Sequence, residues 1–543
     1  MESQKNFLII GLLLVSFMLW QQWQVDYAPK PVETEQAEQT SSANLSNSQP
    51  VNGNSDVPAA LLQQSVAEQA NKSAFVTVTT DVYELTISLV GGDITNLKLL
   101  KYPTEKDGDI PFPLLKEQTA EIYQAQSGLL GIDTRAGRAV YQANQEAYQL
   151  TGDTLTVPFT YTNAKGMQVT KIFTFNANSY TINVEYVVNN QTDSVQAVQL
   201  YAQLKQSTAM QGGSMMMPTY RGGAYSANDD NYEKVDFDDF YERDINVSTK
   251  GGWVSMIEHY FVSAWVPTQE DKNQIYSKTV NGNAIIGFKG PQVDVAPGTI
   301  SKVNTNLYVG PKDQEVQGQL AKHLDLTIDY GILWFLSQPL FTLLKFFYGL
   351  VSNWGVAIIL ITIAVKGAMY WLTKKQYTSM AKLRQLQPKM AELKTRFGED
   401  RQKMSVAMME LYKKEKVNPM GGCLPMLIQM PIFLSLYWVF VESVELRHAE
   451  FALWIHDLSQ QDPYYVLPIL MGASMFLMQR LQPTPMTDPV QQKIFQFMPL
   501  MFTVFFLWFP SGLVLYWLVS NVISILQMLL INRSIEKQGL NKK

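Results

Sequence analysis

The residues of this 543-residue chain that could do chemistry lie inside its apolar stretches. Residues 361–371 read "ITIAVKGAMYW", within a stretch long enough to cross a bilayer, and Lys366 sits in its inner half. A charge at such depth costs about 3 kcal/mol on insertion scales and more by other estimates. On a helix, Thr362, Lys366 and Tyr370 fall at i, i+4 and i+8, on one face. Other apolar stretches contribute neutral polar groups. These are Gln429 and Ser435, then Gln496 and Thr503, then Ser520, Ser524 and Gln527 as a helical stripe. The only Asp or Glu in these stretches is Glu442, at the far end of 421–443, so no carboxylate is at hand for Lys366. A buried, unpaired ammonium must lose its proton or reach water or phosphate. Two arrangements satisfy this. In one, Lys366 lies about seven residues from the inner end, roughly 10 Å at 1.5 Å per residue, and its stem snorkels to the headgroups. In the other it lines a hydrated groove open on the inner side. Polar residues on neighbouring spans also glue helices together, but together with an unpaired lysine they argue for the groove.

Other chemistries find little support. Cys423 is the single cysteine, so no intramolecular disulfide forms. His259, His323, His448 and His456 have no metal-ligand spacing, and none lies in a span, which disfavours a membrane protease of the Ser/His type. No enzyme activity, cofactor or metal is expected. The acidic run 229–244 ("DDNYEKVDFDDFYERD") reads as a solvated loop ahead of a calcium or sugar site. A small-solute transporter or channel is the alternative function. It predicts inverted repeats and membrane-embedded acids, and the sequence has neither.

The elements that must position these residues follow from hydropathy and charge. Residues 1–24 read as an uncleaved signal anchor, since Lys5 precedes the apolar run and no small-x-small site follows it. Residues 25–74, rich in Gln, Ser, Asn, Glu and Thr, read as a flexible linker. From 75 to 325, period-two runs such as "MQVTKIFTFN" and "SYTINVEYVV" between Gly, Asn and Asp turns predict a large all-β sandwich. The core, 351–531, holds five candidate spans at 354–373, 421–443, 466–481, 494–509 and 511–531, near the roughly 20 residues a crossing needs. Residues 375–418 predict two helices, 376–397 capped by Gly398 and 399–416, forming a basic amphipathic hairpin.

Charge fixes the sides. Residues 374–418 carry twelve Lys/Arg against five Asp/Glu, while 24–353 carry 22 against 35. Cytoplasmic loops are enriched in Lys/Arg near span ends. The seventh apolar stretch, 330–348, is broken by Pro339 and would invert this pattern if it spanned, so 326–350 reads as an interfacial amphipathic helix on the outer surface. Both termini, including the basic tail 532–543, are then cytoplasmic. The predicted fold is a multidomain membrane protein. It has an α-helical bundle of five core transmembrane helices, a signal-anchor helix, an all-β periplasmic sandwich and a cytoplasmic helical hairpin.

Residues 415–439 ("EKVNPMGGCLPMLIQMPIFLSLYWV") and 505–521 ("FFLWFPSGLVLYWLVSN") closely resemble the YidC/Oxa1/Alb3 family of membrane protein insertases, and the resemblance extends over the whole chain. It implies a protein of the bacterial inner membrane that inserts other membrane proteins and helps them fold, without nucleotide. The partners it implies are nascent membrane proteins, the Sec translocon (SecYEG, SecDF), the ribosome and the phospholipid bilayer. It also implies a positively charged groove, usually centred on an arginine at the position of Lys366, with Thr362, Tyr370, Gln429 and Ser520 around it. An apolar substrate slide would comprise Met430, Pro431 and Phe433, with Leu500, Met501 and Phe505 opposite and Tyr516 and Trp517 nearby. A lysine there keeps the charge but not the planar fork that grips a carboxylate in two places.

Overall fold

The computed structural model describes residues 56–58, 75–118, 121–134, 137–208, 219–228, 230–397, 400–415, 424–481 and 489–537. The anchor expected at 1–24, the proposed cap Gly398, and all of the linker except Asp56, Val57 and Pro58 lie outside these residues.

Strict alternation of apolar and polar residues puts one face of each strand in a core. In Met167–Asn176, Val169, Phe173 and Phe175 are buried; in Thr181–Asn190 the buried apolar residues are Ile182, Val184, Tyr186 and Val188. These strands pair antiparallel, from Ile182 opposite Phe175 to Asn190 opposite Met167. The result is a ten-stranded and a nine-stranded sheet packed face to face. One pairing is parallel, Phe75–Thr79 with Ala147–Gln149. Leu129, Ala202, Leu204, Ile286 and Phe288 of the first sheet meet Val184, Val254, Leu307 and Val309 of the second in one apolar cluster. Two short helices, α1 (Asp239–Glu242) and α2 (Gln314–Leu320), lie at the margins, and Asp313 caps α2 by accepting from the Glu315 and Val316 amides. Inside the sandwich, Arg138 pairs with Asp93, and the fully buried Lys171 donates to the carbonyls of Gly91, Gly92 and Ser127 at 3.0, 2.7 and 3.1 Å.

The helical part begins with α3 (Trp334–Val351), then α4 (Trp354–Ala368), whose first turn is capped by Asn353 accepting from the Val356 amide at 2.9 Å. The chain then turns through 62° at Met369 into α5 (Tyr370–Gln385). The stretch 354–373, expected as one helical span, is therefore bent. A second correction falls at Leu386. The single helix expected over 376–397 divides there, between α5 and α6 (Gln387–Phe397). Pro388 has no N–H to donate to residue 384, and its ring disfavours continuing the helix through that point. As a result α5 is not part of the hairpin. Its Tyr377 and Ala381 pack on Met528, Ile531 and Ile535.

The hairpin consists of α6 and α7 (Arg401–Lys414), which share the cluster of Leu386, Met390, Met408, Leu411 and Tyr412, with Lys389 and Glu415 paired at 2.6 Å. Four further helices are α8 (Leu424–Glu442), α9 (Val466–Leu481), α10 (Pro489–Phe505) and α11 (Ser511–Lys537). Leu340 and Leu344 of α3, Ile358 and Ile361 of α4, Leu436 and Phe440 of α8, Met471 of α9, and Leu513 and Tyr516 of α11 form one core. At Gly472 the absence of a side chain lets α9 approach Thr503 of α10, where any Cβ would collide with the hydroxyl. By length and composition, Gly331–Val351, Ser511–Ile535 and the bent pair Trp354–Leu383 suffice to cross a membrane; Ile428–Glu442, Val466–Leu481 and Gln496–Trp508 are shorter apolar helices.

Candidate functional site around Lys366

The lysine sits at the end of α4, one turn before the bend, and is 7% exposed. Its Nζ donates to Ser524 Oγ on α11 at 2.9 Å. Ser524 in turn donates to the Ser520 carbonyl at 2.8 Å, so the hydroxyl presents its lone pairs to the ammonium. The backbone of Lys366 is held from the same helix, because Gln527 Nε2 donates to its carbonyl at 3.1 Å. That carbonyl belongs to the last turn of α4, where the bend diverts the chain from its regular i→i+4 partner. Tyr377 on α5 donates to the Ser524 carbonyl at 3.4 Å, tying the far side of the bend to the same turn of α11. Among the described residues no carboxylate reaches Lys366. Gln527 Oε1 and Ser435 Oγ are buried without a hydrogen-bond partner.

The structure brings together only part of the expected groove set. Lys366 and Ser520 meet through Ser524. Thr362 lies one turn back on α4, fully buried, donating to the Ile358 carbonyl of its own helix at 2.6 Å. Gln429 is half-buried on α8. Tyr370 does not continue the face of Thr362 and Lys366, because it lies beyond the bend, where it is exposed. The direct partners Ser524 and Gln527 belong to the polar stripe on α11; what the sequence does not disclose is which of them meets the lysine. Asn521, which donates to Ser474 on α9 at 3.0 Å, is a further buried polar link that only tertiary packing reveals.

The residues expected to form the slide divide into an aromatic floor and an exposed face. Phe433 of α8 lies 4.6 Å from Trp517 and 6.3 Å from Tyr516, measured between ring centres, and Phe506 lies 4.8 Å from Trp517. Pro431 is half-buried beside this floor. Met430 is 49% exposed, and Leu500 and Met501 on α10 are 63% and 61% exposed, with Phe505 exposed further along. Such apolar exposure on a helix pair is stable only against lipid or an apolar partner.

On the opposite side of the bundle, the sandwich is bonded to the α8–α9 connection. Lys312 and Glu442, both buried, pair at 3.0 Å. His259 Nε2 shares a hydrogen bond with the Val441 carbonyl at 2.9 Å, Arg447 donates to the carbonyls of Pro103 and Thr104, and Val444 joins the sandwich core.

Comparison with known proteins decides the family. Residues 75–343 match the family described as "YidC periplasmic domain", and residues 346–538 match "60Kd inner membrane protein". The membrane protein insertase YidC of Pseudoalteromonas atlantica is 54% identical, with all of both chains covered. The chain belongs to the YidC family of membrane protein insertases. Other members with that name include those of Shewanella piezotolerans (56% identical; 99% of this chain and 100% of the relative) and Aeromonas hydrophila (53%; 100% of each). Among solved structures, an active YidC insertase with its first transmembrane domain resolved is 18% identical, covers 85% of this chain and 93% of its own, and gives a TM-score of 0.37. A galactose mutarotase related enzyme from Lactobacillus acidophilus is 11% identical, covers 43% of this chain and 97% of its own, and gives 0.31. Residue 366 is a lysine here, and its ammonium is bonded to the neutral hydroxyl of Ser524.

Proposed function

We propose that this chain inserts other membrane proteins into the bacterial inner membrane and helps them fold, using Lys366 as the cation that receives polar or acidic segments of the incoming chain. The observation that carries this reading is the pairing of Lys366 with a neutral hydroxyl. Ser524 stabilises the charge without cancelling it, and no carboxylate of the described residues is bonded to it, so the charge is left for a passing segment. Gln527 Oε1, an unused acceptor on the side chain whose amide donates to the Lys366 carbonyl, suits a water or an incoming donor.

Moving a polar segment across the full hydrocarbon layer is unfavourable because its backbone groups lose their water partners. A hydrated recess that ends at Lys366 shortens the dry path and attracts negative charge. The apolar part of the substrate then leaves along Met430, Pro431 and Phe433 and the exposed face of Leu500, Met501 and Phe505, with Tyr516 and Trp517 as floor. Burial in lipid drives this step at about 25 cal/mol per Å². In this reading Thr362, Gln429 and Ser520 line the recess, and Tyr370 stands at its mouth.

The finer topology follows from charge. The basic residues of this stretch support a reading in which the hairpin and both termini are cytoplasmic, the five core helices and the anchor cross the membrane, and the β sandwich is periplasmic. The segment α3 lies in the outer interface, because a crossing there would put the basic hairpin outside. The Sec translocon is the proposed partner in the membrane and the ribosome the proposed partner at the basic hairpin and tail. No bond-making chemistry is assigned to the chain. The deciding experiment is insertion of a single-span substrate with an acidic outer tail into proteoliposomes. Lys366→Arg is expected to support insertion and Lys366→Ala to lose it; normal insertion by Lys366→Ala would falsify the role given to the charge.

A further inference from the structure

The outer face of the ten-stranded sheet carries a built polar site occupied by a piece of the chain's own linker. Residues alternate along the strand Gln196–Ser207, so Ala202 and Leu204 face the core while Tyr201, Gln203 and Lys205 face outward. Register aligns their neighbours. Gln203 lies opposite Gln126 on one side and Gly287 on the other, and Gly287 lies opposite Tyr276. One residue pair further along, Lys205 and Lys278 flank Ile285.

Against this face lie Asp56, Val57 and Pro58. Gln203 Nε2 donates to the Asp56 carbonyl at 2.9 Å, and Lys278 Nζ donates to it at 2.7 Å. Lys205 pairs with the Asp56 carboxylate at 2.6 Å. The Val57 side chain is buried against Leu130 and Tyr201, and its carbonyl accepts from Lys278 at 3.3 Å. The donor that reads the peptide backbone is preorganised. Gln203 is fully buried, its Oε1 accepts from the Tyr276 hydroxyl at 2.7 Å, and its Nε2 also meets Gln126 Oε1 at 2.7 Å. Gly287 makes room for this, because a Cβ there would press on the Tyr276 hydroxyl at 2.8 Å and on Gln203. The site therefore has a carboxylate acceptor, two backbone-reading groups and an apolar seat, in a fixed order.

We propose that this face is a peptide-binding site for short segments in which an acidic residue precedes a β-branched apolar one, and that Asp56–Val57 is its resident ligand. The consequence for this chain is a clamp. The linker between the amino-terminal stretch and the sandwich is fastened at Asp56, some twenty residues before the first strand at Phe75. The ligand chemistry follows from the side chains: Lys205 selects the carboxylate, Gln203 and Lys278 select an exposed main-chain carbonyl, and Leu130 with Tyr201 selects the apolar residue. Its ion pair is partly open to solvent, so an added peptide of the same chemistry exchanges with it.

The test uses the full-length protein in detergent at low salt and a fluorescein-labelled peptide of residues 54–61, Asn-Ser-Asp-Val-Pro-Ala-Ala-Leu, read by anisotropy. Asp56→Lys displaces the resident segment and is expected to bind the peptide about tenfold more tightly than the unaltered chain, where the tethered ligand competes at high effective concentration. Adding Lys205→Glu, or changing the peptide's Asp to Lys, is expected to abolish that gain. Equal binding of both peptides, equal binding by Asp56→Lys and the unaltered chain, or no binding to Asp56→Lys overturns the proposal. A second measurement stands if that variant does not fold. In a Cys423→Ser background, Val57→Cys and Leu130→Cys are expected to be joined by a short bifunctional thiol reagent, and Val57→Cys with Lys302→Cys not; the reverse pattern, or no joining, overturns it. Neither assay reads insertion, so the outcome is independent of the role proposed for Lys366.

Discussion

Lys366 and Ser524 face each other across the seam of α4 and α11, and the serine hydroxyl is turned by the Ser520 carbonyl so that its lone pairs meet the ammonium. A hydrogen bond to a charged group of this kind contributes about 1.5–3 kcal/mol where water cannot replace it and less where it can. Ser524→Ala is therefore expected to reduce insertion of an acidic-tailed substrate by about five- to tenfold, with Ser524→Thr restoring most of it. Loss of folding without a change in insertion per folded molecule would assign the serine a structural role only. The measurement is proteoliposome insertion normalised to folded protein.

The Gln527 amide fastens the Lys366 carbonyl at the bend. Gln527→Leu keeps volume but removes this donor, leaving the carbonyl to find water or to straighten the chain toward a regular helix. The expected outcome is a bend smaller than 62°, read as a longer spin-label distance between positions 363 and 378, and about 1–2 kcal/mol of lost stability. An unchanged distance distribution would show that packing of Tyr377 on Met528 and Ile531 fixes the bend without the amide.

The Lys312–Glu442 pair joins the sandwich to the end of α8 with both groups buried. Removing one partner leaves an uncompensated charge, so Glu442→Ala is expected to destabilise by about 3–5 kcal/mol, while Lys312→Met combined with Glu442→Leu recovers most of the loss. Protease susceptibility of the sandwich–core junction, measured across temperature, checks both variants.

His259 gives a pH signature to the same junction. Burial first, then the positive charge of Lys312, pushes its imidazole down to about 4. The unfolded chain, with an ordinary histidine, binds the proton between about pH 6.5 and 4 when the folded protein does not. Stability contributed by this residue is therefore present above pH 6.5 and is lost as pH falls toward 4. The difference in unfolding midpoint between the unaltered protein and His259→Asn is expected to shrink over that interval. A difference that stays flat from pH 7 to pH 4.5 would rule this linkage out.

The sandwich was legible because each strand states its own pattern: the alternation in Met167–Asn176 needs no distant partner to be read. The α5–α6 break was legible in principle, since Pro388 marks it, yet helical spacing of Leu383, Leu386, Met390 and Leu393 masked the proline. The bend at Met369 carries no proline at all; it is bonded to α11 by the amide of Gln527, more than a hundred residues away, and by Tyr377, which donates to the Ser524 carbonyl of that helix. Lys366 stood out because a charge in an apolar run is anomalous by itself. Ser524 could be noticed as one polar residue of a stripe, but choosing it over Ser520 required the crossing of α4 and α11. The docking of Asp56 left no trace in the linker's composition, because three residues are too few to show a periodicity.

The connection from α8 to α9 is bonded on both sides. Toward the sandwich it is held by Arg447 on the Pro103 and Thr104 carbonyls, and by Lys106, which donates to Glu450 and to the His456 carbonyl. Toward the bundle, the Ser511 amide and hydroxyl both donate to the Gln460 carbonyl at 2.7 Å, and the Gly512 amide to Leu458. Ser511 begins the helix that carries Ser524, thirteen residues or about 20 Å further along. The same connection thus bonds the sandwich on one side and, on the other, the first turn of the helix whose middle grips the lysine.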